Sequence, residues 1–302
     1  MELRIQNLSK RYPNGVQALK DVSLTISAGM FGLLGPNGAG KSTLMRTLST
    51  LQDADAGSAS LDGVDLLKDK EQVRRMLGYL PQEFGVYPKV TAIELLEHFA
   101  VLKGLSDPRQ RKAAVHGLLK KTNLWEARYR RLGTYSGGMK QRFGIAQALL
   151  GEPKLIIVDE PTAGLDPEER NRFHNLLAEI GENVVVILST HIVDDVADLC
   201  RQMAVINRGQ VMLSGDPLQL IKGLEGQVWK KFLARRDELS HVEAHHRVLS
   251  TRRVAGQTLI RVHAPAQPDA SFEPAAPDLE DVYFLAIRGG TKPAAAAAPQ
   301  AA

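Results

Sequence analysis

At 302 residues, the chain has room for one core domain and a smaller appendage, and with 44% hydrophobic and 24% charged residues it is neither a disordered nor a fibrous polymer. A formal charge of +4 is only mildly basic, too little to argue by itself for nucleic acid or anionic lipid as a partner. The single cysteine, Cys200, cannot form an internal disulfide and fits a reducing compartment. The alternating start Met1–Ile5 has no apolar signal core, and no apolar run approaches the roughly 20 residues needed to span a bilayer. The chain is therefore expected to be soluble and to reach any membrane through a partner.

In chain order, the alternation at Leu3–Gln6, and later at Ser58–Leu61, predicts half-exposed strands of an antiparallel layer. Short apolar runs at Val22–Ile26, Met30–Leu34, Leu155–Val158 and Val184–Leu188 are separated by helically spaced segments, which predicts an α/β core. The last three runs are apolar on both alternate faces, as central strands covered by helices must be. Between Thr91 and Arg131 the spacing of Ile93, Leu95, Leu96, Phe99 and Leu102, then Ala114, Val115, Leu118 and Leu119, predicts an inserted helical subdomain. Beyond Gly223 basic residues outnumber acids, and Val254–Val262 reads as a hairpin around Ala255-Gly256-Gln257. That segment is expected to be a small accessory module with a solvated basic face, and the Ala/Pro run from Gly289 a disordered tail.

Three motifs carry chemistry. Gly35-Pro36-Asn37-Gly38-Ala39-Gly40-Lys41-Ser42 fits G-x-x-x-x-G-K-[ST], follows the strand Met30–Leu34 and precedes the helical run Thr43, Leu44, Met45, Leu48. Glycines there let consecutive backbone N–H groups point at an anion, and the helix N-terminus adds its dipole. Lys41 is expected to reach β- and γ-phosphates, and the Ser42 hydroxyl to ligate Mg²⁺. Leu155–Val158 ends in Asp159-Glu160, which brings carboxylates to the sheet edge: Asp159 for the metal and Glu160 as general base for an attacking water. Between them, Ser136-Gly137-Gly138 opens a helix and forms a second anion site of the same physical kind.

Two such anion sites, in this order before paired carboxylates, resemble the phosphate loop, signature and metal strand of the ATP-binding-cassette (ABC) ATPases. The resemblance spans roughly residues 3 to 220 and implies a P-loop α/β cassette with an antiparallel β subdomain and a helical insert subdomain. It implies residues 1–222 as the cassette with the helical part at about 86–150, a C-terminal accessory module at 223–288 and a tail at 289–302. It further implies that Tyr12 stacks on adenine and that Gly35 to Thr43 hold the phosphates. Gln82 would contact Mg²⁺ and the attacking water, and His191 the γ-phosphate. Ser136, Gly137 and Gly138 would cap the nucleotide of a second copy, and Ala163-Gly164-Leu165-Asp166 would cross the seam between copies. Tyr135 and Met139 depart from the usual signature, which bears only on contacts around Ser136. The cofactors implied are ATP and Mg²⁺, and the partners are a second copy and transmembrane permease subunits at the cytoplasmic face of the plasma (inner) membrane. No direct nucleic-acid contact is expected. Residues 84–87 resemble a surface that grips the permease, and Gln82–Pro88 with Asp278–Phe284 resemble cassettes of the ABC-2 exporter type. A soluble ABC ATPase acting on nucleic acid or ribosomes stands as the alternative, although neither the long coiled-coil insert nor the tandem cassette of those proteins appears in the sequence.

Overall fold

The architecture comes from a computed structural model that describes residues 1–82, 85, 87–162, 165–181, 183–233 and 238–289. In chain order the elements are β1 (Glu2–Arg11), β2 (Gln17–Ser27), β3 (Gly29–Leu34), α1 (Lys41–Leu48), β4 (Ala56–Leu61), β5 (Val64–Asp65), α2 (Lys70–Met76) and β6 (Leu77–Leu80). There follow α3 (Ala92–Leu102), α4 (Pro108–Lys121), α5 (Gly137–Ala148), β7 (Leu155–Asp159), α6 (Pro167–Ile180), β8 (Val185–Thr190), α7 (Val193–Leu199), β9 (Gln202–Asn207) and β10 (Gln210–Gly215). The chain closes with α8 (Pro217–Lys222), β11 (Val228–Leu233), α9 (Glu238–His245), β12 (Arg247–Val254), β13 (Gln257–His263), β14 (Glu273–Pro274) and α10 (Leu279–Gly289).

The central sheet has the order β10-β9-β3-β8-β7-β6, parallel except for the edge strand β10. All five residues of β7 and all six of β8 are buried, which is why those segments read as unbroken apolar runs. Beside this sheet lies an antiparallel one, β2-β1-β4-β5. Here the structure corrects one expectation, because Val22–Ile26 belongs to this layer and not to the parallel sheet. Val22, Leu24 and Ile26 are buried while Ser23 and Thr25 are exposed, the period-two pattern of a strand with one face in solvent. Leu3, Leu24 and Leu61 from this layer join Phe31, Leu44 and Ile187 in one core.

Between β6 and β7 the helices α3, α4 and α5 close a separate core around Leu96, Leu119 and Phe143, each at 0% exposure. Thr91 starts α3 with a capping box: its side chain accepts from the Glu94 N–H, and Glu94 Oε2 accepts the Thr91 N–H at 2.9 Å.

The C-terminal strands form a third sheet, β12-β13-β11-β14, with Ala255-Gly256 as the hairpin turn, both at positive φ. Its cations are largely engaged within the fold. Arg261 Nε donates to Asp281 at 2.8 Å, Arg252 pairs with Glu280, and Lys230 lies 3.6 Å from Glu273. The acidic first turn of α10 thus sits on the basic sheet, while Leu279, Val282, Tyr283 and Ala286 of the same helix share one core with Leu34, Leu188 and Val205 of the central sheet and Val196 of α7. α10 runs to Gly289, and residues 290–302 lie outside those described.

Candidate active site

Strand register assembles the site. β3 pairs Leu34 with Thr190, β7 pairs Asp159 with Ser189, and β6 pairs Leu80 with Val158. The chain positions just beyond these pairs, Gly35, Glu160, His191 and Gln82, therefore leave the sheet at one edge. The carboxyl edge of a parallel sheet is where such folds bind ligands.

The loop after β3 requires its glycines. Gly38 and Gly40 have φ of 77° and 109°, and a Cβ on Gly40 would lie 2.5 Å from the Ala18 carbonyl oxygen. The loop runs directly into α1, whose N-terminus has no side-chain cap and supplies a positive end. The turn after β9 braces it from outside: the Gly209 N–H donates to Ala39 O and the Lys20 N–H to Gly209 O, both at 2.8 Å.

Lys41 is buried and donates from Nζ to Gly35 O at 2.6 Å, with Glu160 Oε1 3.6 Å away. Burial holds the Lys41 pKa below its ordinary value, opposed by the charges of Glu160 and Asp159. Glu160, also buried, has a φ of 49°, a left-handed conformation that costs a non-glycine residue about 1–3 kcal/mol and persists only where the surroundings impose it. Those surroundings are its N–H bond to Ser189 O at 2.8 Å and the His191 Nδ1 lying 2.7 Å from its Oε2. Asp159 is buried too, and its Oδ1 has no hydrogen-bond partner among the described residues. Burial, with the Asp159 charge second, pushes the nearby Tyr79 hydroxyl up to about 12.

A cavity of about 550 Å³ lies over these groups, lined by Tyr12, Pro36 through Thr43, Gln82 and Glu160. Tyr12 is held at its rim by its hydroxyl, which bonds Thr43 Oγ1 at 3.2 Å and Gln52 Oε1 at 3.1 Å. Gln17, Lys20 and Arg208 also line the cavity and were not singled out from the sequence. Arg208 sits in the turn next to Gly209, far from any motif in sequence, and only the packing of that turn on Ala39 brings it here.

Ser136, Gly137 and Gly138 are not among the residues that line this cavity. They open α5 elsewhere, with Ser136 Oγ accepting from the Met139 N–H at 3.2 Å and with Ser136 and Gly137 exposed. The two departures in this motif are used in packing: the Tyr135 hydroxyl donates to Ala127 O at 2.8 Å, and Met139 packs on the helical core. Phe84 and Val86 of the expected docking surface, Glu83 of the Gln82–Pro88 stretch, and Ala163 and Gly164 of the expected seam loop lie outside the described residues. Tyr87 is 63% exposed, and Asp166 caps α6 by accepting from the Glu169 N–H at 2.9 Å.

A family described as "ABC transporter" matches residues 19–163. The linearmycin resistance ATP-binding protein LnrL of Bacillus subtilis (strain 168) is 31% identical over 315 residues, covering 96% of this chain and 99% of the relative. The daunorubicin/doxorubicin resistance ATP-binding protein DrrA of Streptomyces peucetius is 35% identical, with 85% and 76% covered. The probable multidrug ABC transporter ATP-binding protein YbhF of Escherichia coli (strain K12) is 34% identical over 95% of this chain, which spans only 52% of that relative's length. Among solved structures, the dimeric post-hydrolysis state of the ATP-binding cassette MJ0796 bound to ADP and Pi is similar with a TM-score of 0.64 and 27% identity, over 71% of this chain and 98% of the other. An ATP-binding subunit of an ABC transporter gives a TM-score of 0.67 and 29% identity over 80% of this chain and 99% of the other.

Proposed function

The chain belongs to the ATP-binding subunits of the ABC transporter family, and we propose from that premise that it binds and hydrolyses ATP to drive a membrane exporter of the ABC-2 type. The observation that carries the chemistry is the buried Glu160, strained at φ 49° and in contact with His191, beside Lys41 at the mouth of the phosphate loop. Gly35 to Thr43 hold the phosphates, with Lys41 on the β- and γ-oxygens and Tyr12 against the base. Glu160 takes the proton of the attacking water, and His191 and Gln82 position the γ-phosphate and that water.

The oxygen donors Ser42, Asp159 and Gln82 suit Mg²⁺, and the buried Oδ1 of Asp159 is a carboxylate oxygen with no hydrogen-bond partner among the described residues. Bound there, the ion would neutralise charge on the transferring phosphoryl group.

Because Ser136–Gly138 stand apart from their own chain's phosphate loop, each copy supplies them to the nucleotide of a second copy, and ATP joins two copies head to tail. Loss of the γ-phosphate then removes charge-assisted bonds across the seam and lets the copies part. Among the described residues no helix is long and apolar enough to cross a membrane. Separate permease subunits carry the transport path and hold the chain at the cytoplasmic face of the plasma (inner) membrane, a reading supported by the names of relatives that are transporter ATP-binding proteins. Residues 1–222 act as the cassette, with its helical part at about 86–150, and 223–288 as an accessory module.

The test is phosphate release by the full chain at saturating Mg²⁺ and ATP, together with the identity of membrane proteins that co-purify with it. A chain that binds ATP but releases no phosphate, alone or with its permease, would refute the enzymatic reading. Co-purification with ribosomes or DNA in place of a multi-span membrane protein would refute the transport reading.

A further inference from the structure

Side chains from three separate segments converge on one carboxylate outside the phosphate cavity. Asp195, in the first turn of α7, is 0% exposed. Its Oδ1 accepts from Arg170 Nε at 2.8 Å and Arg170 Nη2 at 2.7 Å and lies 2.9 Å from His174 Nε2, both residues of α6. Its Oδ2 accepts from Thr162 Oγ1 at 2.6 Å and lies 3.5 Å from Thr190 Oγ1. Thr162 follows Glu160 by two positions, Thr190 immediately precedes His191, and Thr190 Oγ1 also accepts the Ile192 N–H at 3.0 Å. An acid in a first helical turn is ordinarily a solvated partner of the helix dipole, but a carboxylate with no exposure is retained only where its partners balance it. Here the partners are the two chain segments that flank the reacting groups, plus the helix that follows Asp166.

We propose that Asp195 is a positioning residue for ATP hydrolysis: by tying the segment after Glu160 and the strand end before His191 to α6, it sets His191 Nδ1 against Glu160 Oε2. It lines no part of the phosphate cavity and so acts only through those neighbours. Its kinetic consequence rests on the ATPase reading above, whereas its geometric consequence does not.

Asp195→Asn is the direct perturbation, but it leaves Arg170 short of a buried countercharge and can prevent folding. Thr162→Val is the second variant, because it removes one bond to Asp195 while Arg170 still balances the charge and His174 keeps its contact. In the full chain, Thr162→Val should lower kcat about tenfold or more through misplacement of reacting groups, with KM for ATP within about twofold of wild type. Thr162→Ser, which keeps the hydroxyl, should restore kcat. A second readout needs no turnover: the ring-nitrogen NMR signals of His191, assigned by their loss in His191→Ala, should shift in Thr162→Val and return in Thr162→Ser. If wild type hydrolyses no ATP, the enzymatic reading fails and the His191 signals alone decide this one. Unmoved His191 signals overturn the proposal, as does a Thr162→Val chain whose kcat stays within about twofold of wild type or falls in step with nucleotide affinity.

Discussion

Replacing Glu160 by Gln separates charge from shape at the centre of the site. The amide is isosteric, and its oxygen can still accept from His191 Nδ1 across the present 2.7 Å, so the strained backbone and the neighbouring loop keep their contacts. What disappears is the base. A positioned general base contributes about 10²–10⁴ in rate, so turnover should fall by that factor, equivalent to about 3–5 kcal/mol of transition-state stabilisation at about 1.4 kcal/mol per decade. Nucleotide affinity should survive, because Lys41, the proposed phosphate contact, keeps its bond to Gly35 O when the Glu160 charge is removed. With hydrolysis blocked and binding intact, ATP should hold two copies together. The assays are phosphate release, equilibrium binding of a fluorescent ATP analogue, and light scattering coupled to gel filtration in ATP. Turnover within about tenfold of wild type would refute the assignment of Glu160 as base, and loss of ATP binding would refute the separation of roles.

Other expectations follow from the same contacts. Lys41→Ala removes a charge-assisted bond to phosphate of about 1.5–3 kcal/mol and should weaken ATP binding about tenfold to a hundredfold by calorimetry. Tyr12→Ala should cost about 1–3 kcal/mol of ATP affinity through lost stacking, while Tyr12→Phe, which gives up only the bonds to Thr43 and Gln52, should retain most of it. Asp281→Ala strands Arg261 on the third sheet and should lower stability by about 3–5 kcal/mol in urea unfolding, a loss visible without any assay of activity. Burial pushes the Cys200 thiol up to about 12, so it should resist thiol reagents at pH 8 in the folded chain and react on unfolding. Because that pKa is raised on folding, its contribution to stability is complete below the ordinary thiol value of 9.0 and is lost as the pH climbs towards about 12.

The parts of the molecule legible in one sequence are those whose physics is local. A glycine loop between an apolar strand and a helix announces an anion site because positive φ and a helix N-terminus are properties of adjacent residues. The same holds for Ser136 opening α5 and for the turn at Ala255-Gly256. Val22–Ile26 shows the limit of that locality: its alternation specifies a strand with one buried face, but which sheet it joins depends on the β1 pairing that stretches from Leu3↔Ile26 to Leu8↔Val22.

Other features follow from pairing and packing between distant segments. The left-handed turn of Glu160, the placing of His191 against it and the arrival of Arg208 beside the phosphate loop follow from strand register and from the turn after β9 packing on Ala39, which no local pattern encodes. The basic residues after Gly223 read as a solvated face because their partners, Glu280 and Asp281, lie downstream in a helix whose acids become countercharges only when it folds back. Asp195 likewise looks like a surface acid of a first helical turn until α6 and the two loops close over it. The sequence by itself determined the local form of the glycine loop, the Ser136 cap and the strand that ends in paired carboxylates, since each is carried by a few consecutive side chains and backbone dihedrals. Tertiary structure alone decided which of them share a cavity, because burial and register join residues that the chain holds more than a hundred positions apart.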